Sequence, residues 1–552
     1  MRGQSGQGLG PASPAGESTR PSGDASRLAK ALAELGQAAL IPADRLIEAL
    51  SDPARRHRTM AYLAVVYALA WTLYAVVSKS SHDLHPDMAE TVVLMRDWAL
   101  GYPKHPPVLI WLVRSWFAVF PLTDWAYYLL AGVSLGLALY LSFILAGEWL
   151  DGYKRAWVPF LLGVIPFYNF LALRFDHNAA LIPLWAFTTW AFMRSLSTRH
   201  YGWGLLTGLG AAACVLTKYW SVFLLVALAL AAVSHKNRAA YFRSPAPWAA
   251  ALVAALACAP HVAWLVQENF SPFIIVKGLR AAQSLADWLR AVAEYTFGTL
   301  GYAAFAVALV VAGVRPSRAA IRDTVWPADP QRRTAAILFW VPLLLPFLAA
   351  AISGTRLLSL WSMPALGLLP VVLLMSPMIV APRRAVVQTA AIAMAVAVGA
   401  LISAPLYAWW QLAGISHHAN YPRLLAAELA AEWKRTTSRP LKFVGGPFEL
   451  ANPVSFYLPE HALTYYLLEL RVRYEHYTSY LAPWADRASL ERDGVAVGCP
   501  SSDHDCLRYM NSFLALVPHT QPREVVLRRR WLGLEGPPAR FTIAVAPPST
   551  RP

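Results

Sequence analysis

The sequence predicts a polytopic α-helical membrane protein of about eleven spans, followed by a small external α/β unit. Three observations predict it. Of 552 residues, 57% are hydrophobic and 14% charged, against roughly a quarter charged in soluble domains. Apolar runs of about twenty residues recur, the length that crosses the hydrocarbon core. After residue 408 those runs shorten, and charge and proline rise.

The elements follow in order. Residues 1–57 form a cytoplasmic N-terminal segment. Its first part, 1–25, is rich in Gly, Ser, Pro and Arg and is expected to be disordered, since it has too little apolar surface to bury. No apolar core follows Arg2, so a cleavable signal peptide is not expected. Residues 26–50 have helical periodicity and read as an amphipathic hairpin broken near Pro42.

Residues 58–408 form the transmembrane region. Spans are expected near 59–77, 124–146, 157–173, 178–194, 203–216, 221–234, 247–265, 298–314, 335–352, 358–376 and 386–408. Arg55, Arg56 and Arg58 precede the first span and put its start inside. Alternate connections then carry Lys154 and Arg155, Arg199, Lys236 and Arg238, Arg315 to Arg333, and Arg383 and Arg384. The net charge of +16 is thus explained by topology-setting loops, and a nucleic-acid partner is not expected. The other connections face outward: 78–123, the turns near 174–177, 217–220 and 353–357, the loop 266–297, and the tail. Within the first of them VLIWLVRSWFAVF (108–120) reads as a helix lying at the membrane interface, and the loop 266–297, with Arg280, Trp288 and Arg290, has similar content.

Residues 409–552 form the external domain. The pieces 442–446, 524–532 and 539–548 alternate like strands, and 421–437 reads as an amphipathic helix. Cys499 and Cys506, in CPSSDHDC, pair if the tail meets an oxidising compartment and stay free thiols otherwise. Cys214 and Cys258 sit in apolar segments as packing residues. There is no internal repeat of fixed period.

Four clusters of ionisable residues fall on the outward side. Asp83, Asp87 and Glu90 form an acid group, with Asp87 and Glu90 on one helical face; they bind a cation, supply a general base, or simply complement a helix N-terminus. GYPKHPP (101–107) holds Lys104 and His105 before Pro106 and Pro107, a stiffened turn that either grips an anion or merely starts a helix. Arg174, Asp176, His177 and Asn178 crowd one turn; Asp176 there pairs, caps a helix or works. Lys218, with Tyr219 and Trp220, interrupts two apolar runs and either snorkels or presents an ammonium to a phosphate. Independent structural roles do not predict that all four share one membrane face. One pocket for an anionic, lipid-borne substrate does.

DMAETVVLMRDWALGYPKHPPVLIWL (87–112) resembles the first-loop signature of bacterial family 39-like glycosyltransferases, in which an acidic motif precedes a G-Y-x-x-H-P-P-L segment. RFDHNAALIPLW resembles the family's second motif, LTKYWSVFLL its later L-x-K-Y segment, and HVAWLVQENFSPF (261–273) the end of the same region. The likeness covers roughly residues 60–275 in motif order. It implies the GT-C fold, shared with protein O-mannosyltransferases and with the enzymes that place aminoarabinose or galacturonic acid on lipid A. One departure is that Met88 stands where the motif has its second acid, and the next acid is Glu90. Asp87 survives as the working carboxylate; a metal site using the adjacent acid is put in doubt. No organic cofactor is implied, and a divalent metal is left open.

The expected activity is transfer of a sugar from a polyprenyl-phosphate donor to an envelope acceptor (lipid A or another glycolipid, a glycan or a protein) at the periplasmic face of a bacterial inner membrane. Asp87 and Asp176 are the expected catalytic pair, and His105, Lys104, Lys218 and Arg174 the donor-phosphate ligands. Asp83, Glu90, His177, Asn178 and Tyr219 complete the site. The alternative is a transporter or flippase for a lipid-linked sugar, which many spans and intramembrane charge also suit; transporters often show repeated halves and broken helices near the midplane, whereas here the charges collect at one surface and an external domain follows. A third reading is a sugar-acceptor-binding protein without catalysis.

Overall fold

The computed structural model describes residues 40–413, 421–466 and 487–549. The expected disorder of 1–25 and the first half of the hairpin lie outside them. Residues 40–51 are helical. Ile47 and Leu50 are buried, and Asp44 pairs with Arg383 at 2.8 Å.

The helical body is built from α1 (Arg56–Ser78), α2 (Pro86–Leu94), α3 (Val108–Phe117), α4 (Asp124–Ala146), α5 (Gly152–Gly163), α6 (His177–Thr198), α7 (Tyr201–Thr217), α8 (Val222–Ser234), α9 (Pro245–Gln267), α10 (Ser271–Arg280), α11 (Leu285–Val314), α12 (Pro330–Ser353) and α13 (Arg383–Ala413). Among the described residues, six of these are long and apolar enough to cross a membrane: α1, α4, α9, α11, α12 and α13. Small residues set the closest packing. A Cβ on Gly132 would come within 2.5 Å of the Ala68 carbonyl, and one on Gly136 within 2.5 Å of the Ala64 carbonyl. Glycine at both positions lets α4 lie directly on α1, a small-residue seam suited to lipid, where apolar burial alone does not drive helices together.

Three expected spans differ. The segment 358–376 is no single helix: two 3₁₀ turns lead to a six-residue helix, Leu369–Leu374. Pro364 and Pro370 interrupt it. Met363, Leu366, Leu369 and Val372 are buried, and irregular backbone is tolerated at such depth when protein rather than lipid surrounds it. The span at 157–173 ends as helix at Gly163 and continues as a turn at Pro166–Tyr168. The loop 266–297 is mostly helical. Its second half is the start of α11, capped by Ser284 accepting from the Asp287 amide at 3.1 Å. Asp287, Arg290 and Glu294 had kept that stretch out of the apolar window. Within 108–120 the helix is α3, whose ten residues are too few to span.

The tail carries one five-stranded sheet. Its strands are β1 (Phe443–Gly446), β2 (Leu463–Tyr466), β3 (Val495–Pro500), β4 (Arg523–Trp531) and β5 (Leu534–Ala546), in spatial order β2-β1-β3-β5-β4. β1 runs parallel to β2 and β3, and β5 antiparallel to β3 and β4. The reading of alternation found β1, β4 and β5 but not β2 and β3. β3 is buried along its whole length, as a strand covered on both faces is, and so shows no polar alternation. Helix α14 (Pro422–Thr436) packs Leu425, Leu429 and Trp433 on one sheet face. Helix α16 (His504–Leu514) packs Cys506, Met510 and Leu514 on the other. Cys499 and Cys506 form a disulfide, Cα to Cα 5.7 Å, tying β3 to α16.

The sheet unit sits on the end of the body where α1 stops. Trp531 donates to the Ser80 hydroxyl at 2.7 Å, and Arg529 meets the Asp83 carboxylate at 2.5 Å. The Leu84 amide donates to the Tyr457 hydroxyl at 2.8 Å from α15 (Phe448–Tyr457). Arg423 of α14 pairs with Asp124 at the start of α4.

Candidate active site

The site begins at a helix start. Pro86 occupies the first turn of α2, where its missing N–H costs nothing. His85 is the N-cap, its Nδ1 accepting from the Asp87 amide at 3.2 Å. Burial, with Arg174 adding to it, pushes the His85 pKa down to about 4. The ring is therefore neutral and free to accept.

Asp87, in that same first turn, is 35% exposed at its side chain and takes a charge-assisted hydrogen bond from the Arg174 guanidinium. Arg174 also stands 3.7 Å from Asp176. Asp176 caps α6, accepting from the amides of Asn178 at 2.8 Å and Ala179 at 3.1 Å, so the capping role foreseen for it is real. Its other oxygen accepts from the Asn178 side chain at 3.2 Å. Asn178 in turn accepts from the Lys218 ammonium at 2.5 Å. Lys218 ends α7 and lies 5.1 Å over the Trp361 ring. Its pKa is pulled down to about 8 by burial, with Asp176 opposing. Asp87, Arg174, Asp176, Asn178 and Lys218 thus make one run of contacts from residues far apart in sequence.

Glu90 turns to a second group. It pairs with Lys104 at 2.7 Å and approaches His105 at 3.6 Å. Lys104 also lies 4.3 Å over the Phe448 ring. His105 stacks on His177 at 3.9 Å between ring centres. Burial, then the Lys104 charge, hold His105 well below its ordinary pKa. The turn around it closes by paired backbone hydrogen bonds between Tyr102 and His105, 3.0 and 3.2 Å.

Two predicted residues make their contacts outside that run. Asp83 lines the same cavity as Asp87, with its fully buried side chain paired to Arg529 and Arg423 of the sheet unit. Tyr219 bonds His261 at 3.1 Å, and His261 bonds the Leu100 carbonyl at 2.6 Å. The carbonyl must accept, so His261 Nδ1 carries the proton and Nε2 receives the tyrosine hydroxyl.

Sequence reasoning missed Arg280 and His85. The charge of Arg280 acts on both Lys218 and Asp87. It was visible only as one basic residue in a loop, with no motif around it. His85 precedes a proline at a helix start, a capping signal that was available.

A cavity of about 420 Å³ is lined by Asp87, Arg174, His85, Asp83, His82 and Lys79. A second, of about 610 Å³, continues beyond Lys79 between α1, α4 and the sheet unit. A third, of about 390 Å³, is wholly apolar and lies between α11 and α12, lined by Tyr295, Leu300, Val307, Leu343 and Phe347. Tyr295 clusters with Leu357, and Trp220 and Trp361 pack against that cluster, so this cavity starts near Lys218. Among the described residues no three His, Cys, Asp or Glu side chains gather to hold a metal ion. With Met88 in place of the second acid, the residues present do not fit a metal at the leading motif.

A family model for dolichyl-phosphate-mannose-protein mannosyltransferases matches residues 104–264. The match includes Lys104, His105, Arg174, Asp176 and Lys218 and begins after Asp87. The crystal structure of ArnT from Cupriavidus metallidurans in the apo state is similar at a TM-score of 0.55 and 16% identity, covering 88% of this chain and 97% of that one. The apo oligosaccharyltransferase of Archaeoglobus fulgidus is more distant, at a TM-score of 0.42 and 12% identity over 80% of this chain and 69% of that one. A search of curated protein sequences gives no match. The shared architecture is the GT-C fold.

Proposed function

We propose that this membrane glycosyltransferase of the GT-C fold moves a sugar from a polyprenyl-phosphate donor to an envelope acceptor at the periplasmic face of a bacterial inner membrane. One observation carries the reading: a run of contacts through Arg174, Asp176 and Asn178 links Asp87 to Lys218, 131 positions away in the chain. A carboxylate able to take a proton stands near a cation able to hold a phosphate, with an apolar cavity beside the cation.

The donor phosphate rests against Lys218, with Arg174 and Arg280 adding positive potential. Its isoprenoid follows the apolar cavity between α11 and α12. The acceptor hydroxyl enters from the cavity at Asp87. Its oxygen attacks the anomeric carbon and gives its proton to Asp87. The bond from that carbon to the phosphate oxygen breaks, its electron pair stays on the phosphate, and polyprenyl phosphate leaves. Fixed cations around the departing phosphate stabilise the charge it gains. Asp176 holds Asn178 and steadies Arg174, which makes it a positioning residue. Lys104 and His105, bound to Glu90, form the wall behind.

The test uses purified protein and labelled polyprenyl-phosphate sugar. Release of polyprenyl phosphate on adding acceptor supports transfer. Asp87→Asn should slow it by roughly 10²–10⁴, the usual worth of a general base. Near-normal turnover in that variant removes Asp87 from the mechanism.

A further inference from the structure

We infer that Lys79 is the docking point for an anionic group on the acceptor, a phosphate monoester or carboxylate displaced from the hydroxyl that reacts. The inference rests on the reading of Asp87 given above. Lys79 follows the last residue of α1, its amide bonded back to Ala75 and Val77. Its ammonium lies 5.4 Å over the Tyr407 ring.

Among the described residues Lys79 has no ion pair. Every other cation near it is committed. Arg174 serves Asp87 and Asp176; Arg423 serves Asp124 and Asp83; Arg529 serves Asp83. Glu449, which also lines the cavity, lies at an exposed position and makes no ion pair with Lys79. A half-buried cation without a counterion is costly, and burial already lowers its hold on its proton. An arriving anion removes that penalty and forms a charge-assisted contact.

Position identifies the ligand. Lys79 and Asp87 line one cavity; Lys218 does not. The donor phosphate rests on Lys218, outside this lining, so the cavity that Lys79 shares with the proposed base belongs to the acceptor, and Arg174, which lines it too, stands between the two substrates. Lys79 and Tyr128 also line the adjoining cavity, which gives the rest of a large acceptor a way out past the sheet unit. Lys79 on this account selects the acceptor and does not take part in the chemistry.

The experiment is isothermal titration of the detergent-solubilised full chain with glucosamine 1-phosphate, glucosamine and inorganic phosphate. Wild type should bind the sugar phosphate at least about tenfold more tightly than glucosamine, the scale of one charge-assisted contact. Lys79→Gln should lose that preference. Lys79→Arg should keep it within about threefold, which shows that loss in the glutamine variant is not misfolding. Sugar phosphate bound equally by Lys79→Gln and wild type overturns the proposal, as does inorganic phosphate bound as tightly as the sugar phosphate, which would mean a generic phosphate site. Should transfer survive Asp87→Asn while these preferences hold, the catalytic reading falls and the anion site stands.

Discussion

Arg174 donates to the carboxylate of Asp87 across 87 positions of sequence, joining the turn before α6 to the first turn of α2. The pair fixes where the carboxylate points before any substrate arrives, and misplacement by even an ångström is costly in catalysis.

Replacing Arg174 by Ala should therefore lower kcat/KM by roughly 10- to 100-fold, the scale of one hydrogen bond to a charged group. Arg174→Lys should recover only part, because a point cation cannot reproduce the planar fork. Steady-state transfer by the two variants checks this.

Lys218 should make donor affinity depend on pH. Its pKa is lowered to about 8 by burial, so the ammonium is present below that value and lost above it. Polyprenyl phosphate should compete with the donor several-fold less well at pH 9.5 than at pH 7. Lys218→Arg, which keeps its charge, should flatten the dependence. An equally steep dependence in the arginine variant would assign the titration to another group.

Breaking the Asp83–Arg529 pair should destabilise the chain. Arg529→Met leaves a buried carboxylate with one partner fewer, at about 3–5 kcal/mol if Arg423 does not compensate. Replacing both, Asp83→Leu with Arg529→Met, should recover much of the loss. Thermal unfolding of the two proteins in detergent distinguishes a stability role from a catalytic one.

The Cys499–Cys506 disulfide closes a short loop, sequence separation 7, and such loops contribute about 2–3 kcal/mol in the chain-entropy account. Both thiols are buried. Maleimide should label neither until reductant is added, and Cys499→Ser should unfold at lower temperature than wild type.

Much of this was legible in sequence, and the reasons are specific. Asp87, Arg174, Asp176 and Lys218 stood out because charge next to an apolar run is rare, and the basic connections placed them on one face. The partners were harder to read. Glu90 shares a helix with Asp87, yet spacing could not tell that it would turn to Lys104 and His105. The partners of Asp83, Arg423 and Arg529, lie more than three hundred positions away, where no local pattern links them. The broken segment at 358–376 was apolar enough to span, but its prolines outweighed hydropathy once neighbouring helices could enclose it.

The clasp formed by Arg529, Trp531 and Tyr457 has a consequence for engineering. It grips the seven-residue bend between α1 and the start of α2, a few positions from Asp87. Exchanging tails with a distant relative is therefore not a modular operation. A chimaera would have to import its own counterpart for Asp83, or the strap that leads into Asp87 would be left slack.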